Sequence, residues 1–404
     1  MRLLLVISQS DYFWSHRATL ARYARRAGFE VHVATRPVGD LHPFARIGLP
    51  VHAIRLPRGM RAPWRQLRAV GELAALYRRL RPDVVHHLSV QAVVLGGLAA
   101  RLARPPCVIH GFTGLGALAT RSNTASRNRV TWSLLRLAHG CRHFSVFQNP
   151  DDLADCVRRR VVPRERTALI RGSGVDVRRF TPEPPSPEPI VLLAGRLIWP
   201  KGIAQFVEAS RLLRRRYPEA RFVVVGEPDP LSSQSCSVEW LQQQVRSGLI
   251  EWWGRRDDMG DVYGRASIVV APTWYGEGVP KVLLEAAACG RPMVATRVRG
   301  CREIVVHGRT GFCVAPQRVE QLADAIERLL RDDELREQMG RRARALAVSR
   351  FDDRRIARQT VDLYLERLGA LDDRTMKRWN RQPAHVAGAS LAVPSPALPF
   401  DDVA

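Results

Sequence analysis

The chain has 404 residues, enough for two α/β domains that each bury a core of their own. Its net charge of +24 is uneven: residues 1–187 carry 30 arginines against 11 acids, a balance of +19, and the remainder carries +5. Seven cysteines without paired short spacing argue against a disulfide framework or a zinc site and for reduced thiols, and the least polar long stretch, residues 84–103, holds His86, His87, Gln91 and Arg101, too many polar groups for a membrane span.

A basic first half suits either nucleic acid or an anionic membrane surface. A GC-rich coding sequence can account for part of the excess, since 60 of the 63 basic residues are arginine.

Residues 2–7 read as a first strand, too short for a signal peptide. The following loop carries Ser10, His16 and Arg17 to the sheet's carboxyl edge, before a helix that ends at Gly28 and a strand over 30–35. No GxGxxG fingerprint is present, which disfavours a dinucleotide site. His16 and Arg17 fit helix capping and packing as well as they fit substrate contact. A strand over 51–56 leads into a helix over 63–81, where Trp64, Leu67, Val70 and Leu73 alternate with Arg65, Arg68, Arg78 and Arg79. That pattern suits a membrane interface, or an ordinary helix with its apolar face on the sheet. After a strand over 83–86, a strand over 107–110 delivers a Gly-rich loop with Thr113 and Gly114, where a phosphate can approach the backbone closely. His110 ends that strand, as a structural hydrogen-bonding residue or as a catalyst. Asn149 and Pro150 start a capped helix, and the proline-rich residues 181–189 form a linker.

A second strand-helix alternation opens at 190–194 and places Arg196 and Lys201 around a strand-to-helix turn, where two cations can neutralise a diphosphate. Strands over 221–225 and 250–253 follow, the latter leading to Arg255 in a nucleoside-contact loop. Residues 267–271 read as a buried strand whose exit loop carries Glu277, and Pro280 fits the first position of the next helix. Glu285 then lies one to two turns in. Two carboxylates beside a helix start suit a ligand that combines hydroxyls with phosphate, as nucleotide sugars do. Helices over 319–331, 333–349 and 352–368 precede an Ala/Pro-rich tail with little to bury.

Gly195 and Arg196 with Lys201 and Gly202, Glu277 with Glu285, and Gly300 to Glu303 with Thr310 and Gly311 resemble, in order and spacing, the family 4 glycosyltransferases of the GT-B fold, over residues 1–370. Residues 113–116, 148–152, 172–176 and 277–285 look most like bacterial members that build lipid-linked oligosaccharides. The resemblance implies an α/β architecture of two Rossmann-like parallel-sheet domains facing each other across a cleft. The acceptor-binding domain is expected at 1–180, the linker at 181–189, the donor-binding domain at 190–350, a helical region crossing back at 351–379, and a disordered tail at 380–404.

The resemblance further implies retaining transfer of a hexose or N-acetylhexosamine from a nucleotide-sugar donor to a polyprenyl-diphosphate-linked saccharide. Arg196 and Lys201 would hold the diphosphate, Glu277 the sugar hydroxyls and Glu285 the ribose, with Gly278, Val279, Pro280 and Arg255 completing the donor site. His110 is the further catalytic candidate, and Ser10, His16, Arg17, Thr113 and Gly114 form the acceptor or phosphate loops. No metal, cofactor or nucleic-acid partner is expected. An anionic membrane surface is, with the protein on the cytoplasmic face of the cell membrane. Two alternatives stay open: a nucleotide-sugar epimerase of similar fold, which would bring acid/base residues from both domains, and a nucleic-acid binder using the basic half.

Overall fold

Strands β1 (Arg2–Ile7), β2 (Glu30–Thr35), β3 (Val51–Ala53), β4 (Val84–Leu88), β5 (Cys107–Phe112), β6 (Phe144–Phe147) and β7 (Thr167–Leu169) pair in the order β3-β2-β1-β4-β5-β6-β7, parallel throughout. A second parallel sheet follows from β8 (Ile190–Ala194), β9 (Arg221–Val225), β10 (Glu251–Trp252), β11 (Ile268–Ala271), β12 (Met293–Thr296) and β13 (Gly311–Val314), in the order β10-β9-β8-β11-β12-β13. The computed structural model describes residues 1–57, 63–119, 125–230 and 232–371, so the expectation for residues 380–404 lies outside the described residues.

Crossover helices let short apolar strands pair in parallel and cover both faces of the sheet. In β8 the faces alternate: Ile190, Leu192 and Ala194 enter one core while Val191 and Leu193 enter the other. Truncating Leu192, which is fully buried, to alanine would cost about 2–5 kcal/mol.

Both sheets are doubly wound. The chain passes from β1 outward to β2 and β3, then returns to place β4 on the other side of β1, and β8 repeats this with β9 and β11. Such reversals open a crevice at the strands' carboxyl ends, where ligands bind.

The chain divides into two units. One comprises the described parts of Met1–Gly114, Thr124–Ile170 and Ile356–Ala404, and the other those of Leu115–Asn123 and Arg171–Arg355. The first unit takes up most of the Asp353–Gly369 helix, whose Ile356, Val361, Leu363 and Tyr364 join its core. Phe180 packs in the second unit, where Arg291 also donates to the carbonyls of Glu183 and Gly264.

Several local readings shift: residues 11–16, expected as a loop, form a helix, and β3 stops at Ala53 rather than running to residue 56. β5 runs on to Phe112, because Gly111 pairs with Leu88 of β4 and belongs to the sheet rather than to a loop. Pro280 caps the Lys281–Ala288 helix instead of entering it, with extended backbone at φ −63° and ψ 124°. In the Pro63–Leu80 helix Val70 and Leu73 are buried as an apolar face requires, but Trp64 and Leu67 are 63% and 72% exposed. No helix among the described residues is long and apolar enough to cross a membrane.

Candidate active site

The second unit's strand reversal lies between β8 and β11, and the loops leaving these strands carry the main candidates. Gly195, at φ 135°, turns the chain out of β8, and its carbonyl lies where a Cβ on Gly226 would sit 1.9 Å away. Gly226 is itself at φ 131°, so this crossing of loops admits glycine alone. A short 3-10 turn, Trp199–Lys201, ends at Gly202, which has φ 81° and lies so close to the Pro272 carbonyl that a Cβ would meet it at 2.2 Å.

That contact joins the two loops. The Pro200 carbonyl accepts from Thr273 Oγ1 at 3.0 Å and from the Trp274 amide at 2.9 Å. Lys201 is therefore anchored beside the loop carrying Glu277, and its Nζ donates directly to Glu277 Oε1. Both side chains are largely enclosed, at 21% and 16% exposure. The other side of the Glu277 loop is fixed by Gly300, where a Cβ would fall 1.4 Å from the Gly278 carbonyl.

Glu285 lies on the following helix with Lys281 one turn before it. Burial pushes its carboxyl pKa up, and the Lys281 charge and the neighbouring Tyr263 only partly oppose this. The fully buried Tyr263 hydroxyl faces the Glu285 carboxylate. A carboxylate held in poor solvation gains from any hydroxyl brought to it. Val279 is buried, and Lys281 Nζ donates to the Gly174 carbonyl at 2.8 Å.

Arg196 remains 61% exposed and donates to Asp229 at 3.4 Å. Arg255, in the loop after β10, faces solvent and Asp257 at 3.7 Å, outside the Lys201–Glu277 cluster. Arg171 Nε donates to Glu303 at 2.8 Å, a pairing across 132 positions with no local signal in the sequence.

In the first unit the candidates separate. His110 is fully buried and both its ring nitrogens are used. The Gly140 amide donates to His143 Nδ1, so that nitrogen is an acceptor and His110 Nε2 must carry the proton between them. His110 Nδ1 then accepts from His87 Nδ1, and His87 Nε2 from the Tyr77 hydroxyl. This chain of neutral histidines leaves His110 no lone pair or proton for a substrate, which corrects its candidacy as a catalyst. Ser10 is likewise spent, donating to the Val38 carbonyl and accepting from the Val38 amide. His16 stacks on Tyr12 at 4.1 Å, and Arg17 is buried beneath the same ring. Thr113 and Gly114 are partly exposed after β5, with Gly114 at φ 116°.

Nucleotide sugars present hydroxyls and a diphosphate together, and the second unit sets carboxylates and cations for both at one strand reversal. With a second sheet of the same winding, the fold is that of the GT-B glycosyltransferases. The family described as "Glycosyl transferases group 1" matches residues 188–332, and "Glycosyl transferase 4-like" matches residues 2–138. The Campylobacter jejuni N,N'-diacetylbacillosaminyl-diphospho-undecaprenol alpha-1,3-N-acetylgalactosaminyltransferase is 28% identical over 79% of this chain and 86% of its own. A Mycobacterium tuberculosis glycogen synthase is also 28% identical, over 76% of this chain and 72% of its own. The crystal structure of Anabaena HepE in complex with UDP-glucose superposes with a TM-score of 0.73 at 21% identity, over 91% of this chain and 99% of that one. The chain belongs to the family 4 glycosyltransferases and is an enzyme that takes its sugar from a nucleotide donor.

Proposed function

We propose that this enzyme transfers a hexose or N-acetylhexosamine, with retention at the anomeric carbon, from a UDP-sugar to a saccharide carried on a polyprenyl diphosphate. The work takes place in the cytoplasm, at the inner face of the cell membrane. The observation that carries the donor side is the Lys201–Glu277 contact at the β8–β11 reversal. Without ligand the ammonium is neutralised by the carboxylate. With donor bound, Lys201 and the exposed Arg196 stabilise the departing diphosphate while Glu277 and Glu285 accept from sugar and ribose hydroxyls. Positive charge developing at the anomeric carbon is met by the diphosphate oxygens, which also take the proton of the attacking hydroxyl. Gly278, Val279 and Pro280 bring the helix start, with its partial positive charge, to the same anion.

The acceptor reading is supported by the C. jejuni relative, whose name specifies a diphospho-undecaprenol substrate. Membrane contact is supported by the exposed Trp64 and Leu67 and by eight arginines against the single acid Glu72 between positions 55 and 81. The glycogen synthase relative makes a soluble glucan the competing acceptor. Incubating the enzyme and a panel of UDP-sugars with either a polyprenyl-diphosphate saccharide or a glucan distinguishes the two. Transfer to the lipid-linked saccharide alone supports the proposal, and transfer to glucan alone overturns it. Full binding to anionic vesicles by Trp64→Ser/Leu67→Ser would remove the membrane role given to this helix.

A further inference from the structure

Residues 171–174 open the main stretch of the second unit, and they meet the Glu277 loop at two points and the turn behind it at a third. Gly172, at φ 73°, lies so close to Val279 that a Cβ would meet that side chain at 3.2 Å. The Gly174 carbonyl accepts from Lys281 Nζ at 2.8 Å, at the first residue of the helix that carries Glu285. Arg171 Nε donates to Glu303 Oε2 at 2.8 Å, with the carboxylate 12% exposed and the guanidinium 42%. Glu303 closes the short 3-10 turn Cys301–Glu303, which starts from Gly300. That turn backs the Glu277 loop: a Cβ on Gly300 would fall 1.4 Å from the Gly278 carbonyl oxygen and 2.9 Å from that of Glu277. Cys301, fully buried in the same turn, lies within electrostatic reach of both Glu277 and Lys201. Arg171 therefore holds, through Glu303, the turn on which the Glu277–Gly278 peptide rests.

A half-exposed ion pair of this kind adds little to stability, because solvent screens it and two long side chains must be ordered. Its effect on geometry can be much larger. Transfer needs Glu277 and the leaving diphosphate placed accurately, and a misplacement of about 1 Å can cost about 10²-fold in rate. We infer that Arg171 is a positioning residue for sugar transfer: its ion pair with Glu303 fixes the turn that sets Glu277 against the donor sugar. The inference deepens the donor-site reading above and rests on it.

Arg171→Gln and Glu303→Gln break the pair from either side. Each should lower kcat for UDP release from the donor that the native enzyme uses by about tenfold, with UDP affinity and melting temperature close to native. The double variant should lose no more than either single change, since one pair accounts for both. Arg171→Lys, which keeps a cation within reach of Glu303, should retain most of the rate. Hydrogen exchange needs no substrate: a peptide covering residues 274–282 should exchange faster in Arg171→Gln, while β8 exchanges as in the native protein. Native kcat in Arg171→Gln, losses that multiply in the double variant, or unchanged exchange over residues 274–282 overturn the inference. So does a melting temperature that falls together with UDP affinity, or failure of the variant to fold, either of which makes the pair a part of the fold. Failure of the donor-site reading is separate: the native protein then neither binds UDP nor releases it from any UDP-sugar, while the exchange comparison still decides whether Arg171 holds the loop.

Discussion

Lys201 and Glu277 lie 76 positions apart and form a direct, largely enclosed ion pair across the loops leaving β8 and β11. If this pair is the electrostatic centre of the donor site, Lys201→Met and Glu277→Gln each lower kcat by about 10²–10³-fold, the range for losing one preorganised charge stabiliser. Each single change also strands its partner, so the double variant should lose much less than the product of the two. Steady-state kinetics on the four proteins of this cycle checks it, and strict multiplicativity would show that the residues act independently.

Glu285 is predicted to oppose stability while serving binding. Its carboxyl pKa is raised by burial, so the favourable protonated form is lost as pH rises, and at neutral pH the ionised group costs the fold. Glu285→Gln should therefore melt at or above the native temperature yet bind UDP more weakly. Calorimetry with and without UDP reads both, and a lower melting point with unchanged UDP affinity contradicts the assignment.

Gly202 and Gly300 hold the two loops from opposite sides. Gly202→Ala places a Cβ 2.2 Å from the Pro272 carbonyl at φ 81°, and Gly300→Ala places one 1.4 Å from the Gly278 carbonyl. Each should destabilise the second unit by roughly 1–3 kcal/mol. Gly300→Ala should also weaken donor binding, because the Glu277–Gly278 peptide has to move. Gly71→Ala, where an added Cβ meets nothing within 4 Å, serves as the comparison in denaturant unfolding.

The sequence exposes the donor side because its signals are local. A buried apolar run, a Gly-Glu-Gly loop, a proline and a carboxylate five residues later outline a strand exit and helix start, and Lys201 is one of three lysines in an arginine-rich chain. What joins Lys201 to Glu277 is not local: it depends on β8 and β11 being neighbours and on Thr273 and Trp274 sharing the Pro200 carbonyl. His110 misleads for the same reason. A histidine ending a strand at the carboxyl edge looks available, and only the tertiary fold reveals that His87 and His143 consume both its nitrogens. Trp64 and Leu67 sit at helical spacing with Val70 and Leu73, and nothing in that periodicity tells that the first two are left exposed while the last two are buried.

The buried histidines make acid stability a further prediction. Burial lowers the pKa to about 3 at His87 and His143 and about 4 at His139 and His52, and holds His86 and His110 well below the ordinary value. The unfolded chain takes up protons near its ordinary value of about 6.5 while the folded one does not, so stability falls as pH drops below that point. The melting temperature should hold between pH 8 and 7 and decline steadily from about pH 6.5 toward 4.5. A profile that stays flat to pH 5 would show the cluster to be more open to water than its packing indicates.

On the proposed function, the β8–β11 reversal binds a nucleotide sugar and Glu277 acts on the sugar. The most direct measurement is UDP release from a panel of UDP-sugars by the native protein and by Glu277→Gln, with acceptor present, alongside UDP affinity for both. Acceptor-stimulated release from one donor is expected, lost by about 10²-fold or more in the variant while UDP affinity changes little. Release at the native rate by Glu277→Gln would contradict it.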